Sequence, residues 1–186
     1  MTPAARTAAS KFLSFVLRHH PEAIGLALDP HGWASVDELL ARAGEHGRPL
    51  SRAELVELVG TSPKHRFAMS EDGTRIRASQ GHSVDVDLGY APAVPPARLF
   101  HGTVASALPA IRAEGLRRME RHHVHLSADE ATARGVGARR GTPVILEIDA
   151  AAMQRDGHAF FVSANGVWLT EEVPSRYVSV APGDPG

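Results

Sequence analysis

The 186-residue sequence predicts an α+β protein of two lobes, and three observations carry that reading. Before residue 80 the segments run helix, strand, helix, helix, hairpin. A stretch rich in proline and alanine, GYAPAVPPA at 89–97, then interrupts the pattern as a linker. Beyond it the strongest buried-strand signal in the chain, Pro143 to Ile148, is followed by three more strand-like pieces, enough for a substantial sheet.

Each element has a local reason. From Lys11 to Leu17 the apolar residues Phe12, Leu13, Val16 and Leu17 fall at i, i+1, i+4 and i+5, a helix with one buried face. Pro21 ends it and leaves Arg18 and His19 at its C-terminal end. Residues 26–33 read as a short extended piece and a turn. Ser35-Val-Asp-Glu38 and Ser51-Arg-Ala-Glu54 are capping boxes, each opening a helix. Residues 66–70 and 74–77 flank Asp72-Gly73, a hairpin signal. This order is that of a winged helix, assigned to residues 1–93. In residues 94–186, Arg98–Thr103 is strand-like and the next helix stops at Gly115. Val124–Ser127 is a strand, and Ser127-Ala-Asp-Glu130 reads as a third capping box, with Ser127 at the N-cap. Phe160–Ser163, Val167–Thr170 and Tyr177–Val180 complete a mixed or antiparallel sheet.

Composition narrows the function classes. There is no cysteine, which excludes disulfides, thiolate catalysis and cysteine-based metal sites. The net charge of −1 excludes a polybasic coat, so any anion site has to be a local cluster. Residues 117–140 supply one, with six Arg and three His against three acids. No signal-peptide core or long apolar run is present, so a soluble, cytoplasmic protein is expected. A monomer without an obligate protein partner is the default.

Several stretches could carry chemistry. Arg18 and His19 at a helix end can solvate terminal carbonyls or hold a phosphate. Arg77 precedes a Gln-Gly-His-Ser turn dense in hydrogen-bonding groups, around a glycine that lets backbone approach a ligand. His101-Gly102-Thr103 closes a strand. In the run 121–127, His123 and His125 share a strand face while His122 faces away, and no acid stands at ligand spacing; no metal site is expected. The Gly135–Gly141 stretch misses the dinucleotide spacing and follows a helix, so a Rossmann reading fails.

Taken together, S-K-F-L-S-F-V-L-R-H-H-P (10–21), D-P-H-G-W (29–33), I-R-A-S-Q-G-H-S (76–83), L-F-H-G-T (99–103), H-V-H-L-S (123–127), V-G-A-R (136–139) and N-G-V-W-L-T (165–170) resemble the NAD-dependent RNA 2′-phosphotransferases, the KptA family. The likeness runs in order from about residue 10 to 180. His20 stands where many relatives have Lys. The resemblance implies a winged-helix lobe joined to an ADP-ribosyltransferase-like lobe. It implies an RNA bearing an internal 2′-phosphate as substrate, tRNA-like or other, and NAD consumed as co-substrate. The phosphate is transferred through ADP-ribosylated RNA, giving 2′-OH RNA, nicotinamide and ADP-ribose 1″,2″-cyclic phosphate. Roles in tRNA processing or RNA repair follow.

By the same resemblance Arg18, His19, Arg77 and Arg139 are catalytic, and His101, Gly102, Thr103, His125 and Ser127 bind NAD. Many ADP-ribosyltransferases place a Glu on a third strand; Val167 carries no acid, which disfavours protein modification and suits a nucleophile that is already an anion. Two other readings stay open. One is an ADP-ribosyltransferase acting on terminal phosphates of nucleic acid or on a small molecule. The other is a non-enzymatic winged-helix regulator that senses NAD, disfavoured because Arg52 in 51–60 faces Glu54 and Glu57.

Overall fold

The computed structural model describes residues 1–62 and 64–184, which form two compact units, Met1–Gly89 and Tyr90–Gly186. The boundary lies inside the proline-rich stretch, four residues before the predicted one. Its later residues belong to the second unit: the Ala93 N–H bonds the Phe160 carbonyl at 2.8 Å, and the Tyr90 ring meets His123 edge-on.

In the first unit, α1 spans Pro3–Arg18, eight residues more at its start than the periodicity predicts. Thr2 caps it, accepting from the Ala5 N–H, and Pro3 takes the first helical position, where a missing N–H costs nothing. A short 3₁₀ turn, Pro21–Ile24, follows. Strand β1 (Ala34–Ser35) leads into α2 (Val36–Glu45), capped by Ser35, and α3 (Arg52–Gly60) opens with the reciprocal Ser51/Glu54 capping box. Strands β2 (Phe67–Met69) and β3 (Arg75–Ala78) form the predicted hairpin, and the antiparallel order is β1-β3-β2. Residues 26–33 form a turn and no strand. Leu13, Val16, Leu17, Leu39, Leu55 and Ile76 are fully enclosed between the three helices and this sheet.

The second unit begins with β4 (Arg98–Val104), then α4 (Leu108–Glu114), β5 (Leu116–Arg117), β6 (Val124–Leu126) and α5 (Glu130–Gly137). After these come β7 (Pro143–Asp149), α6 (Ala150–Arg155), β8 (Phe160–Val162), β9 (Trp168–Thr170), β10 (Glu172–Val173) and β11 (Val178–Val180). Two three-stranded antiparallel sheets, β11-β7-β4 and β6-β9-β8, share one apolar core built on Leu99, Leu126, Leu146, Ile148, Met153 and Phe160. Among the described residues they are joined by one isolated bridge, in which Phe100 and Ser127 exchange both backbone bonds, at 2.9 and 2.8 Å. The small β5–β10 pair and α6 escape the sequence reading, being two-residue strands and one and a half turns of helix.

One prediction is overturned here. Ser127 is not the N-cap of the following helix. Asp129 is, accepting from the Thr132 N–H at 2.7 Å, while the Ser127 backbone is committed to the bridge with Phe100. A carboxylate two residues later sits at the correct distance from the free N–H groups, and it outcompetes the hydroxyl.

Candidate active site

In the first unit, the chain leaving the hairpin docks on the end of α1. The Ser83 and Val84 N–H groups donate to the Arg18 carbonyl at 2.9 and 3.3 Å, and His19 Nδ1 bonds Ser83 Oγ at 2.9 Å. The Arg18 side chain is half-buried, with its Nη2 3.4 Å from the Arg66 carbonyl and its guanidinium over Phe67. Arg77 lies on β3, 4.6 Å from the centroid of Trp33, with Nη1 3.5 Å from the His31 carbonyl. Among the described residues, no carboxylate comes within 4.0 Å of Arg77. His82, beside them, is buried and packs near Gly32.

In the second unit the bridge sets His101 and His125 side by side. His101 Nδ1–H donates to the His125 carbonyl at 3.1 Å, so its Nε2 carries the lone pair. Burial, together with the Arg140 and Arg121 charges, lowers the His101 pKa and keeps the ring neutral, against the opposing pull of the His125 carbonyl. Arg121 Nη1 lies 2.6 Å from His125 Nδ1. A guanidinium has no acceptor, so Nδ1 accepts and the hydrogen of the neutral ring sits on Nε2. The two imidazoles therefore offer one acceptor and one donor.

Arg121 is the residue that sequence reasoning missed. It entered only as part of a basic run; its position four residues before His125 was the available signal. Its pKa is lowered first by burial and then by Arg140 and Arg139. Among the described residues Arg121, Arg139 and Arg140 form no ion pair with a carboxylate. Three guanidiniums of like charge with no carboxylate to neutralise them are a place prepared for an anion.

Gly102 and Gly137 explain how Arg139 comes to this strand. A Cβ on Gly102 would stand 2.8 Å from both the Ala133 carbonyl carbon and the Gly137 nitrogen, and one on Gly137 would stand 3.1 Å from the Gly102 carbonyl carbon. Helix α5 thus lies flush on β4, with Arg139 two residues past its end. Thr103 is buried in the same strand, opposite Val144. A cavity of about 420 Å³ between α4 and β11, lined by Leu108, Ile111, Arg112, Arg176 and Val180, holds none of the predicted site residues. No group of three or more His, Asp or Glu among the described residues is arranged to hold a metal ion, and no helix is long and apolar enough to cross a membrane.

Comparison with known proteins agrees across nearly the whole chain. The family model described as RNA 2′-phosphotransferase, Tpt1/KptA family, matches residues 4–172. A Streptomyces coelicolor protein named "Probable RNA 2′-phosphotransferase" is 62% identical over 169 residues, covering 91% of this chain and 92% of that one. Proteins of the same name from Agrobacterium fabrum and Pseudomonas aeruginosa are 57% and 58% identical over 175 and 173 residues, covering 94% and 92% of this chain and 94% and 95% of their own. The chain belongs to the RNA 2′-phosphotransferase, Tpt1/KptA family of transferases.

Proposed function

We propose that the protein removes an internal 2′-phosphate from RNA by transferring it to NAD, giving 2′-OH RNA, nicotinamide and ADP-ribose 1″,2″-cyclic phosphate. The observation that carries this reading is the paired histidines of β4 and β6, with Arg121 bonded to His125 and, among the described residues, no carboxylate ion-paired to Arg121, Arg139 or Arg140. The donor set suits NAD. His101 Nε2 as acceptor and His125 Nε2–H as donor match ribose hydroxyls, and Arg121, Arg139 and Arg140 match phosphate oxygens. Because the Phe100 backbone groups point toward β6, alternation along β4 turns the N–H and C=O of Gly102 the same way, beyond the bridge. One donor beside one acceptor suits the carboxamide of nicotinamide. Gly102 thus serves twice: its bare face receives α5 and its peptide faces the ligand.

Bound NAD supplies an anomeric carbon from which a neutral nicotinamide departs. The protein's part is placement of an anionic nucleophile and stabilisation of charge on the phosphodiester. Arg18 and Arg77 hold the RNA phosphate, His19 exchanges the proton in the transesterification that frees the 2′-OH, and Arg139 stabilises the phosphorane charge. The first unit, three helices on a three-stranded antiparallel sheet, is read as a winged helix, and the second as an ADP-ribosyltransferase-like lobe. The phosphate anion is itself the nucleophile, so this scheme requires no acid at Val167.

The test is to incubate the protein with NAD and a short RNA bearing one internal 2′-phosphate, and to follow the RNA mass. Loss of the phosphate with appearance of ADP-ribose 1″,2″-cyclic phosphate is expected. Intact 2′-phosphorylated RNA, with NAD consumed only when terminal phosphates are offered, would replace this reading with that of a terminal-phosphate transferase.

A further inference from the structure

The D-P-H-G-W turn at 29–33 has no part in the scheme above, yet backbone and side-chain hydrogen bonds close it on itself. Asp29 Oδ1 accepts from the His31 and Trp33 N–H groups at 2.8 and 2.9 Å, and the Asp29 N–H closes the turn on the Trp33 carbonyl at 2.8 Å. Gly32 takes φ +77°, and a Cβ there would lie 3.3 Å from Leu88 and 3.4 Å from His82. The His31 ring donates from Nδ1 to the Asp87 carbonyl at 2.9 Å, and the Asp87 N–H returns to the Pro30 carbonyl at 2.8 Å. Such a loop holds its last residue rigidly.

That last residue is Trp33. Strand β1 pairs Ala34 with Ile76 and Ser35 with Arg75, and one more step of the register sets Trp33 opposite Arg77, on the same face. The guanidinium carbons of Arg77 and Arg75 lie 4.6 and 5.3 Å from its ring centroid. The two cations differ in one respect. Arg75 has Asp29 Oδ2 3.9 Å from its Nη1, whereas Arg77 has no carboxylate within 4.0 Å among the described residues. A guanidinium stacked on an indole is held by its face, which leaves the in-plane N–H edge for an oxyanion.

We infer that Trp33 is the positioning residue of Arg77: the D-P-H-G-W turn presents its indole as a platform that fixes the plane of the Arg77 guanidinium and aims its N–H edge at the RNA 2′-phosphate. The inference rests on the reading of Arg77 as a phosphate ligand. It gives the turn a function, and it makes Trp33 act through Arg77 without touching the substrate.

The experiment measures binding without turnover, so inactive variants remain informative. Fluorescence anisotropy, with NAD absent, gives the affinity of one RNA with and without an internal 2′-phosphate; the ratio is the gain due to the phosphate. Trp33→Leu should cut that gain about 3- to 10-fold, the range of a partly desolvated cation–π contact. Trp33→Phe, which keeps a ring, should restore much of it, and circular dichroism should show both variants folded. In an Arg77→Ala background, Trp33→Leu should change nothing further. Equal losses in both backgrounds, or no loss in either, would overturn the positioning role. If Arg77→Ala leaves the gain of the parent protein intact, the assignment of Arg77 fails first, and the role of Trp33 falls with it.

Discussion

Replacing Gly102 by alanine tests the packing and the chemistry together. The new methyl would sit 2.8 Å from the Ala133 carbonyl carbon and from the Gly137 nitrogen, and closer still to the Ala133 oxygen, where ordinary contact begins near 3.4 Å. These are backbone atoms of one helix, so no side chain can rotate away; α5 must lift from β4 by on the order of 1 Å. Overpacking of this kind costs about 1–3 kcal/mol, and in a unit of this size each kcal/mol lowers Tm by roughly 4–8 °C. The larger effect falls on Arg139, carried at the end of the displaced helix. A shift of about 1 Å in a charge-stabilising group can lower turnover roughly 100-fold. Thermal unfolding and turnover of the 2′-phosphorylated RNA measure the two effects. Gly135→Ala is the control, because it lies in α5 with nothing within 4 Å of its Cβ. There, removal of a helical glycine should stabilise by up to about 1 kcal/mol. A Gly102→Ala protein with unchanged Tm and turnover would refute the claim that this glycine exists to admit α5.

Other outcomes follow from the geometry. The His101 pKa is lowered on folding, so its contribution to stability is full above the unfolded value of 6.5 and is lost as pH falls from there toward the folded value. His101→Gln should flatten the stability curve in that window, as read by denaturant midpoints at a series of pH values. Arg121→Met should release the His125 ring, and long-range ¹⁵N–¹H spectra should show both tautomers where the parent protein shows the Nε2–H form alone; the KM for NAD should rise. Asp129→Ala should cost about 1 kcal/mol as a lost N-cap, and Ser127→Ala clearly less, because only its backbone is used. Arg139→Ala should collapse turnover with the fold intact. His19→Ala should let ADP-ribosylated RNA accumulate in a quenched time course, and absence of that species would remove His19 from the second step.

Much of this was legible beforehand, because the informative residues act locally. The capping box at Ser51, the Asp72-Gly73 turn and the stop at Gly115 are decided within four residues of themselves, and they stand where the sequence puts them. Asp72 shows why: Ser70 and Thr74 bond its carboxylate and hold its pKa at about 2. The start of α1 was hidden because Ala4, Ala5, Ala8 and Ala9 continue the i, i+1, i+4, i+5 spacing with methyl groups alone, too small to signal a buried face, and only Thr2-Pro3 marked it. The cap at Ser127 failed for a nonlocal reason, since the demand on its backbone comes from Phe100, 27 positions earlier. The site divides in the same way. His101 and His125 stand out as motif residues, whereas the task of Arg121 depends on which ring nitrogen it reaches, and that of Trp33 on a strand pairing across more than 40 residues.

The bridge between Phe100 and Ser127 has a consequence for how this sequence can change in length. It fastens the two sheets at one pair of residues, and the histidines are placed by counting from it, one position after Phe100 and two before Ser127. An extra residue between Phe100 and His101 would turn the imidazole to the α5 side, because strand faces alternate. Two extra residues would restore the face but carry the ring about 7 Å along the strand. Loops elsewhere in the unit can lengthen without such an effect. Within Phe100–His101 and His125–Ser127 the register admits no insertion or deletion.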